Sequence, residues 1–334
     1  MEERPKKIIF SVVIPTRNRP QLFKMALDSV LSQEFDSYEI IVVNDGSTKE
    51  FLEGYNSIKS KHGSDGKVRF YELIHRPLGH GQSYSMNYGV SMASGKYVCF
   101  LDDDDYWTDP QHLSRASKSI LNSSKEVDVY YTNQSAYYSD GSRKEQDVWI
   151  EDLRDQISDK TADNQGSCLV DIPFLLKSKG FAHLNCTIIK KDLYQVIGGM
   201  DENIRYECDR DFYIRTIDNA AVIFYNPAVV SKHNIPDVKK KDNMSTLVSF
   251  AEKLIYQMRV YDKGISLSNN RLIIDHCTTG KMYILKKMAE GFYNQEKFKE
   301  GLIYSRQALG MRFTLKWLLF TSYLYFKCLT GMSK

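Results

Sequence analysis

Apolar runs alternate with amphipathic stretches through the first hundred residues. The runs are short and rich in Val, Ile, Tyr and Phe, which is typical of strands buried on both faces. They predict strands at residues 8–14, 38–43, 68–74 and 96–101. Apolar residues at helical spacing predict helices between them, at residues 21–33 and 83–93. The alternation indicates parallel strands with right-handed crossovers, and a ligand at the carboxyl ends of those strands.

The middle of the chain has less regular patterning. Strands are predicted at residues 127–132 and 185–189, and a β-like run leads from residue 221 towards His233. Between them, residues 139–180 are polar and charged and lack a clear period. A stretch of that length without elements of its own is usually a functional lid or a mobile loop.

The last ninety residues have the spacing of apolar residues that predicts helices, at residues 243–262 and 269–293. Residues 283–309 resemble one tetratricopeptide-type helix hairpin, and one such unit cannot bury its own apolar face. Residues 313–332 are rich in aromatic and aliphatic side chains, interrupted by Lys316 and Lys327. Two interpretations of this segment stay open: a helix at a membrane surface, or a core helix of the helical region.

Composition sets broad limits on the class of protein. A chain of 334 residues with 42% hydrophobic and 26% charged residues is typical of a soluble globular protein of one or two domains. A net charge of +3 is too small to indicate a nucleic-acid partner. The six cysteines are scattered without a CxxC pair, which argues against zinc and disulfides and fits a reducing cytoplasm. The amino terminus lacks the apolar segment of a signal peptide, so we expect a cytoplasmic protein.

Four consecutive carboxylates follow the predicted strand at residues 96–101. These residues, Asp102 to Asp105, repel one another, and a folded chain tolerates them best with a cation among them. Hard oxygen ligands suit Mg²⁺ or Mn²⁺, which can also hold a diphosphate. The alternative interpretation of the tetrad is a solvated acidic loop or helix start.

The best-known nucleotide fingerprints are missing from the expected places. A dinucleotide-binding GxGxxG would follow the first strand, where Pro15 to Pro20 stand instead. Gly79 and Gly81 follow the third strand and have no third glycine in register. The sequence also lacks GxxxxGK[ST], so a dehydrogenase of the Rossmann type and a P-loop NTPase are both disfavoured.

Four blocks of sequence, in order, resemble the family-2 inverting glycosyltransferases of the GT-A fold. The blocks are Val12 to Pro20, Val42 to Thr48, Gly81 to Gly89 and Gly95 to Asp105. The resemblance covers about residues 8–233, or two thirds of the chain. It implies an α/β catalytic domain, residues 1–240, with a Rossmann-type central sheet flanked by helices. Residues 241–334 are then a C-terminal α-helical region.

The resemblance implies a nucleotide site at the ends of the first two strands. Pro15 and Thr16 would offer a wall and backbone groups to the base, and Asp45 would accept the pyrimidine N–H. Arg19 would reach the base or a phosphate, although a surface ion pair is an equal alternative. Asn87 resembles the asparagine of the sugar-nucleotide pocket.

The tetrad resembles the DxD motif, with Asp102 and Asp104 as its acids. Asp104 is the expected direct ligand of Mn²⁺ or Mg²⁺, and Asp102 and Asp103 would face the ribose and support the ion. The register is open, because a run of four acids allows more than one. His233 would complete the metal's coordination or contact the diphosphate, and a structural role is its alternative.

The acceptor side also shows resemblance, with two departures from the family pattern. Residues 198–202, GGMDE, resemble a GGFDE segment, and Asp209 matches the general base; a helix cap is its alternative role. On this side, Cys208 stands where the family usually has Glu. The other departure is on the donor side, where Met86, just before Asn87, stands where the family often has Arg. Three aromatic side chains have two interpretations, stacking on sugar rings or local packing. They are Trp149, Phe174 and Phe181.

The resulting hypothesis is a metal-dependent hexosyltransferase of surface polysaccharide or glycan assembly. It would move a sugar with inversion from a UDP- or dTDP-type donor to a hydroxyl of a glycan or lipid-linked acceptor. The alternative is a non-catalytic sugar-nucleotide-binding or scaffold protein acting through its helical tail. A nucleotidyltransferase is a second enzyme alternative, but the sequence lacks the Gly-rich loop expected for that class after the first strand. Residues 313–332 would contact the inner face of the cell membrane, and self-association is a further expected interaction.

Overall fold

The computed structural model describes residues 8–63, 66–237 and 244–330. Its contacts divide the chain into two compact units, Met1–Lys241 and Asp242–Lys334. The domain boundary expected at residues 240 and 241 lies outside the described residues, as do the first residue of the helix predicted at 243–262 and the last two of 313–332. The two units are described separately below.

The first unit is built on one mixed sheet. Its strands are β1 (Phe10–Thr16), β2 (Tyr38–Asn44), β3 (Val68–Glu72), β4 (Tyr97–Phe100), β5 (Tyr106–Trp107), β6 (Val129–Tyr137), β7 (Cys168–Val170), β8 (Thr187–Lys190) and β9 (Ile223–Asn234). They lie in the order β3-β2-β1-β4-β8-β6-β9-β5, and β7 pairs with β9 beside this path. Strands β1 to β4 are parallel, as predicted, whereas β8 runs antiparallel to both of its neighbours.

Three of the four parallel strands are buried on both faces, and β3 is an edge strand. Every residue of β1, β2 and β4 is buried. The register pairs Val13 with Phe100 and Thr16 with Asn44. The carboxyl ends of the three strands therefore meet at one edge, and the acidic tetrad follows β4 there.

Helices connect and cover the strands. They are α1 (Pro20–Leu31), α2 (Lys49–His62), α3 (Gln82–Met92), α4 (His112–Asn122), α5 (Ile172–Leu175), α6 (Lys191–Val196) and α7 (Cys208–Asn219). Pro20 fixes the first turn of α1, where no amide hydrogen bond is lost. The buried face of α1 carries Phe23, Ala26, Leu27 and Val30. These residues join the main apolar core with strand residues such as Ile14 and Val42.

The second unit is helical throughout its described residues. Its helices are α8 (Met244–Leu247), α9 (Phe250–Leu267), α10 (Arg271–Asn294), α11 (Phe298–Met311) and α12 (Leu315–Leu329). Neighbours in sequence pack together from α9 to α12. The face that the predicted helix hairpin could not bury alone is therefore covered within this unit. None of its described helices is long and apolar enough to cross a membrane, nor is any helix in the described part of the first unit.

One face of α12 packs into this unit. Trp317 is 6% exposed and lies in a cluster with Leu285, Ala289 and Ala308. Its Nε1 donates a hydrogen bond of 3.0 Å to the carbonyl oxygen of Ser305. The core-helix interpretation of this segment is therefore correct for the face that carries Trp317.

Replacement of Trp317 by Ala should destabilise the helical unit by about 3–5 kcal/mol, because it empties a buried aromatic site. Hydrogen exchange of the α11 and α12 amides would report the loss as faster exchange. Leu319→Ala is the matched control, since Leu319 is 63% exposed on the same helix and should change exchange little. Equal protection in Trp317→Ala and the wild type would contradict this packing.

Candidate active site

The tetrad begins where β4 ends, and the loop after β1 closes over it. The amide of Leu101 still donates to the carbonyl of Val13, at 3.1 Å, in the manner of a strand. The chain then turns, and Asp103 Oδ2 accepts hydrogen bonds from Thr16 Oγ1 at 2.8 Å and from the Arg17 amide at 3.4 Å. The first and fourth strands thus contribute side chains to one site.

Two asparagines from outside the motif hold the backbone and carboxylates of the tetrad. Asn185, just before β8, accepts from the Asp102 amide at 3.0 Å and donates to Asp105 Oδ2 at 2.6 Å. Asn234, at the end of β9, donates from its amide to Asp105 Oδ1 at 2.8 Å and from its side chain to the Asp104 carbonyl at 2.6 Å. Nothing in the local sequence marked either residue for this role.

Burial and mutual repulsion dominate the electrostatics of the tetrad. Burial and the other three acids raise the pKa of Asp102 well above its ordinary value. Burial and Asp104 likewise raise the pKa of Asp103 to about 7. Arg19 Nη1 lies 3.3 Å from Asp103 Oδ1 and 2.9 Å from Asp104 Oδ2, and it opposes the rise in the pKa of both acids. A further cation would relieve the remaining repulsion.

Two groups of side chains could hold that cation. The carboxylates of Asp102, Asp104 and Asp105 lie within 4.8 Å of one another, and so do ligand atoms of Asp105, His183 and His233. His233 Nδ1 contacts Asp105 Oδ2 at 2.7 Å, which fixes the orientation of the imidazole. From the sequence, Asp105 was expected only as a member of the tetrad, without a role of its own, and His183 was not singled out.

The donor set fits Mn²⁺ or Mg²⁺. Carboxylate oxygens suit both ions, and a neutral imidazole is a further common ligand of Mn²⁺-type sites. Burial and His233 lower the pKa of His183 to about 3, so this ring is neutral at physiological pH. Asp102, Asp104 and His233, the predicted ligands, surround the buried carboxylate of Asp105.

Asp209 lies near the start of α7 with an unusual carboxylate environment. Burial and the neighbouring carboxylate of Glu207 raise the pKa of Asp209 to about 6. The N-cap of the helix is Glu207, at φ +57°, and the carboxylate of Asp209 accepts from the adjacent Arg210 amide at 3.0 Å. The charge of Asp209 also raises the pKa of Asp102, so the two acids share one electrostatic environment.

The residues expected to bind the nucleotide base cluster at the ends of β1 and β2. The Asp45 amide donates to the Thr16 carbonyl at 2.9 Å, which places Asp45 beside Pro15 and Thr16. In this structure the Asp45 carboxylate accepts from the amides of His80 and Gly81, at 2.8–3.0 Å. Its acceptor oxygens thus hold the loop before α3.

Asn87 is tied to a different segment. Its side chain accepts from the Tyr194 hydroxyl at 2.6 Å and exchanges two hydrogen bonds of 2.9 Å with the backbone of Met200. Its amide also donates to Glu202 Oε1 at 2.8 Å. These bonds join α3 to the GGMDE turn. The structure therefore places the Asn87 side chain against that turn.

The aromatic and thiol side chains near the site differ in their surroundings. Trp149 contacts His183 and His233 edge-on, with ring centroids 5.2 and 4.9 Å apart, and the guanidinium of Arg210 lies over the Phe181 ring. Phe174 is buried against Tyr225, so it is a packing residue. Cys208 is buried too, and burial raises the pKa of its thiol.

Comparison with protein families gives one match that spans half of the chain. The model described as glycosyl transferase family 2 matches residues 11–179. That range contains β1 to β7 and all four acids of the tetrad.

Curated relatives include two of interest. The PGL/p-HBAD biosynthesis glycosyltransferase of Mycobacterium tuberculosis is 27% identical over 227 residues, which cover 68% of this chain and 77% of the relative. The GalNAc(5)-diNAcBac-PP-undecaprenol beta-1,3-glucosyltransferase of Campylobacter jejuni is 30% identical over 116 residues, 35% of this chain and 34% of the relative.

Solved structures share the fold. Staphylococcus aureus TarS 1–349 in complex with UDP-GlcNAc has a TM-score of 0.62 at 19% identity, covering 91% of this chain and 80% of that one. The Pyrobaculum calidifontis mannosyltransferase PcManGT, with GDP-Man and Mn²⁺, has a TM-score of 0.58 at 16% identity, covering 97% and 81%. The GT-A fold class expected from the sequence is confirmed, as is the C-terminal helical region.

Replacement of Asp105 by Asn should weaken Mn²⁺ binding by about 10–100-fold, because the buried carboxylate that orients His233 is lost. Calorimetric titration with Mn²⁺ would measure the change. Asp192→Asn removes an acid whose side chain is 78% exposed, and it should leave the affinity as it is. Unchanged affinity in Asp105→Asn would show that His233 does not depend on this contact.

Proposed function

The chain belongs to glycosyl transferase family 2, and we propose that it transfers a sugar with inversion from a UDP- or dTDP-type donor to an acceptor hydroxyl. The observation that carries the proposal is the cluster of carboxylates of Asp102, Asp104 and Asp105, within 4.8 Å of one another at the end of β4, with Asp209 close enough to raise the pKa of Asp102. A base and an acidic cluster in one electrostatic environment are what a single displacement on a sugar diphosphate requires. A scaffold protein would need neither.

The donor would lie along the ends of β1, β2 and β4. Pro15, Thr16 and Asp45 would contact the base, and Arg19 the phosphates. Asp102, Asp104 and His233 would hold Mn²⁺ or Mg²⁺, with Asp105 orienting the imidazole. When bound, the ion neutralises charge on the diphosphate leaving group. Two neighbours in fold were solved with a sugar nucleotide, one of them with Mn²⁺, which supports this donor class.

Asp209 would act on the acceptor. A carboxylate with a pKa near 6 is mostly ionised at neutral pH and is still basic enough to take the proton of a hydroxyl as it attacks. The attack would come from the face opposite the diphosphate, so one displacement inverts the anomeric centre. Trp149 and Phe181, which lie against His233 and Arg210, are placed to form a wall of the acceptor site.

The acceptor class is a glycan or a lipid-linked glycan. The names of the two relatives place them in PGL/p-HBAD biosynthesis and on an undecaprenol-linked substrate. We therefore assign this chain to surface polysaccharide or glycan assembly. An acceptor anchored in lipid would require the enzyme to work at a membrane surface.

The exposed face of α12 supports a membrane contact at the inner face of the cell membrane. Leu315, Leu319, Phe326 and Leu329 are spaced by four, seven and three residues, that is by one or two helical turns, and are 59–67% exposed on the side of the helix away from Trp317. The helix contains no acidic residue. An apolar stripe of this kind inserts into the boundary between lipid headgroups and acyl chains.

Charge favours anionic lipid as the occupant of this face. Residues 244–330 contain thirteen Lys and Arg against six Asp and Glu, a formal charge of +7, although the whole chain carries only +3. Lys316 and Lys327 lie on the same helix as the stripe, and anionic headgroups stabilise each such residue by about 1 kcal/mol. Two copies facing each other through this surface would repel, so self-association through α12 is disfavoured.

Replacement of Asp209 by Asn should reduce transfer by about 10²–10⁴-fold while donor binding survives, because the amide cannot accept a proton. In the wild type, kcat/KM should fall as the pH drops through about 6, since protonation removes the base. The residual kcat/KM of Asp209→Asn should not fall in this way as the pH drops. Asp218→Asn, further along α7, is the control. Transfer within a few-fold of the wild type would place the base elsewhere.

Replacement of Phe326 by Glu should prevent flotation with anionic vesicles at low salt, because a charge enters the apolar stripe without loss of a buried contact. Ile255→Glu makes the same change on α9 at a residue of similar exposure, 56% against 59%, and should still float. Neutral vesicles and added salt should weaken flotation of the wild type. Wild-type protein that ignores anionic vesicles would rule out this contact.

A further inference from the structure

Arg19 contacts a carboxylate that a bound metal ion would also need. Its Nη1 contacts Asp104 Oδ2 at 2.9 Å, and Asp104 is one of the three carboxylates that come within 4.8 Å of one another. The guanidinium and a divalent ion would therefore compete for one carboxylate. Two cations on the same acid repel each other, so the ion gains less from Asp104 while Arg19 stays there.

The backbone of Arg19 is fixed in position by the surrounding fold. Arg19 is the N-cap residue of α1, with φ −138°, and its amide donates to the Tyr55 hydroxyl at 3.0 Å. Tyr55 in turn shares a hydrogen bond of 2.7 Å with Thr16. The backbone is fixed, whereas the side chain is 26% exposed and reaches the acids through rotatable bonds. The charged end can therefore change partner without refolding of the loop.

A donor diphosphate supplies the new partner. On the proposed function, its phosphates lie beside the tetrad and beside the start of α1, where a helix amino terminus and Arg19 both favour negative charge. A guanidinium binds phosphate oxygens as well as it binds carboxylates, with the same fork of donors. The diphosphate would thus provide a new anionic partner for Arg19 when a metal ion binds Asp104.

We propose that Arg19 is an exchangeable counter-ion: it pairs with Asp103 and Asp104, as this structure shows, and moves to the diphosphate when metal and nucleotide bind together. The inference rests on the proposed function. Its consequence is positive coupling between the binding of metal and of nucleotide. The nucleotide would draw Arg19 away from Asp104, where it competes with the metal ion, and the metal ion would free Arg19 to bind the nucleotide. Mn²⁺ alone binds weakly, and Mn²⁺ with UDP binds tightly.

Replacement of Arg19 by Ala should move the two affinities in opposite directions. Mn²⁺ alone should bind about tenfold more tightly, since its competitor for Asp104 is gone, and UDP in the presence of Mn²⁺ should bind about tenfold more weakly. Electron paramagnetic resonance of free Mn²⁺ measures the first affinity, and calorimetric titration with UDP measures the second. Neither readout depends on turnover.

Two further variants make the comparison decisive. Arg19→Gln keeps length and polarity without charge, and should reproduce the result if the alanine variant folds poorly by circular dichroism. Lys24→Ala removes a cation from the same helix, one that pairs with Asp28 at 2.5 Å on the surface, and should change neither affinity.

If both Arg19 variants bind Mn²⁺ with unchanged or weaker affinity, the exchange is overturned. If they also bind UDP more weakly, Arg19 is a phosphate ligand that does not compete with the metal ion. Wild-type protein that binds neither Mn²⁺ nor UDP would instead overturn the proposed function. The two failures are therefore distinguishable.

Discussion

Four carboxylates buried at the end of one central strand are the constraint on which this site depends. β4 lies between β1 and β8, so the residues that follow it are enclosed from both sides. Enclosure raises the free energy of the ionised acids, and the surrounding elements respond with donors and cations. Thr16 ends β1, Arg19 lies in the β1–α1 loop, Asn185 precedes β8, and Asn234 ends β9.

The same constraint connects binding with chemistry in the proposed mechanism. Because the buried carboxylates repel one another, a bound cation would be stabilised among them, and that cation would in turn stabilise a bound diphosphate. Asp209 experiences the same low-dielectric surroundings, which bring its pKa close to the range in which a carboxylate is an effective base. The metal side and the base side of the site therefore share a single physical cause.

The sequence predicted the features that depend on local patterns of residues. It did not predict contacts between distant residues, which depend on the order of strands in the sheet. The parallel strands and the tetrad followed from apolar runs and a motif. Asp105 and His233 are 128 residues apart, and His183 joins them because β8 runs antiparallel between β4 and β6. Helix α2 was missed because its sequence is mostly polar and buries only Tyr55 and Ile58. For residues 313–332 the core-helix interpretation is correct for the face of α12 that carries Trp317, and a membrane contact of the exposed face stays a proposal.

The most direct test of the account is the position of a bound Mn²⁺ ion. Crystals of the wild-type protein grown with Mn²⁺ and UDP would show it in anomalous difference density. The account predicts one peak in contact with Asp104 and His233, close to Asp102 and to the UDP phosphates, with Arg19 turned from Asp104 to the diphosphate. UDP bound at the ends of β1 and β2 with no manganese peak at the tetrad, or a peak at a site away from these acids, would contradict it.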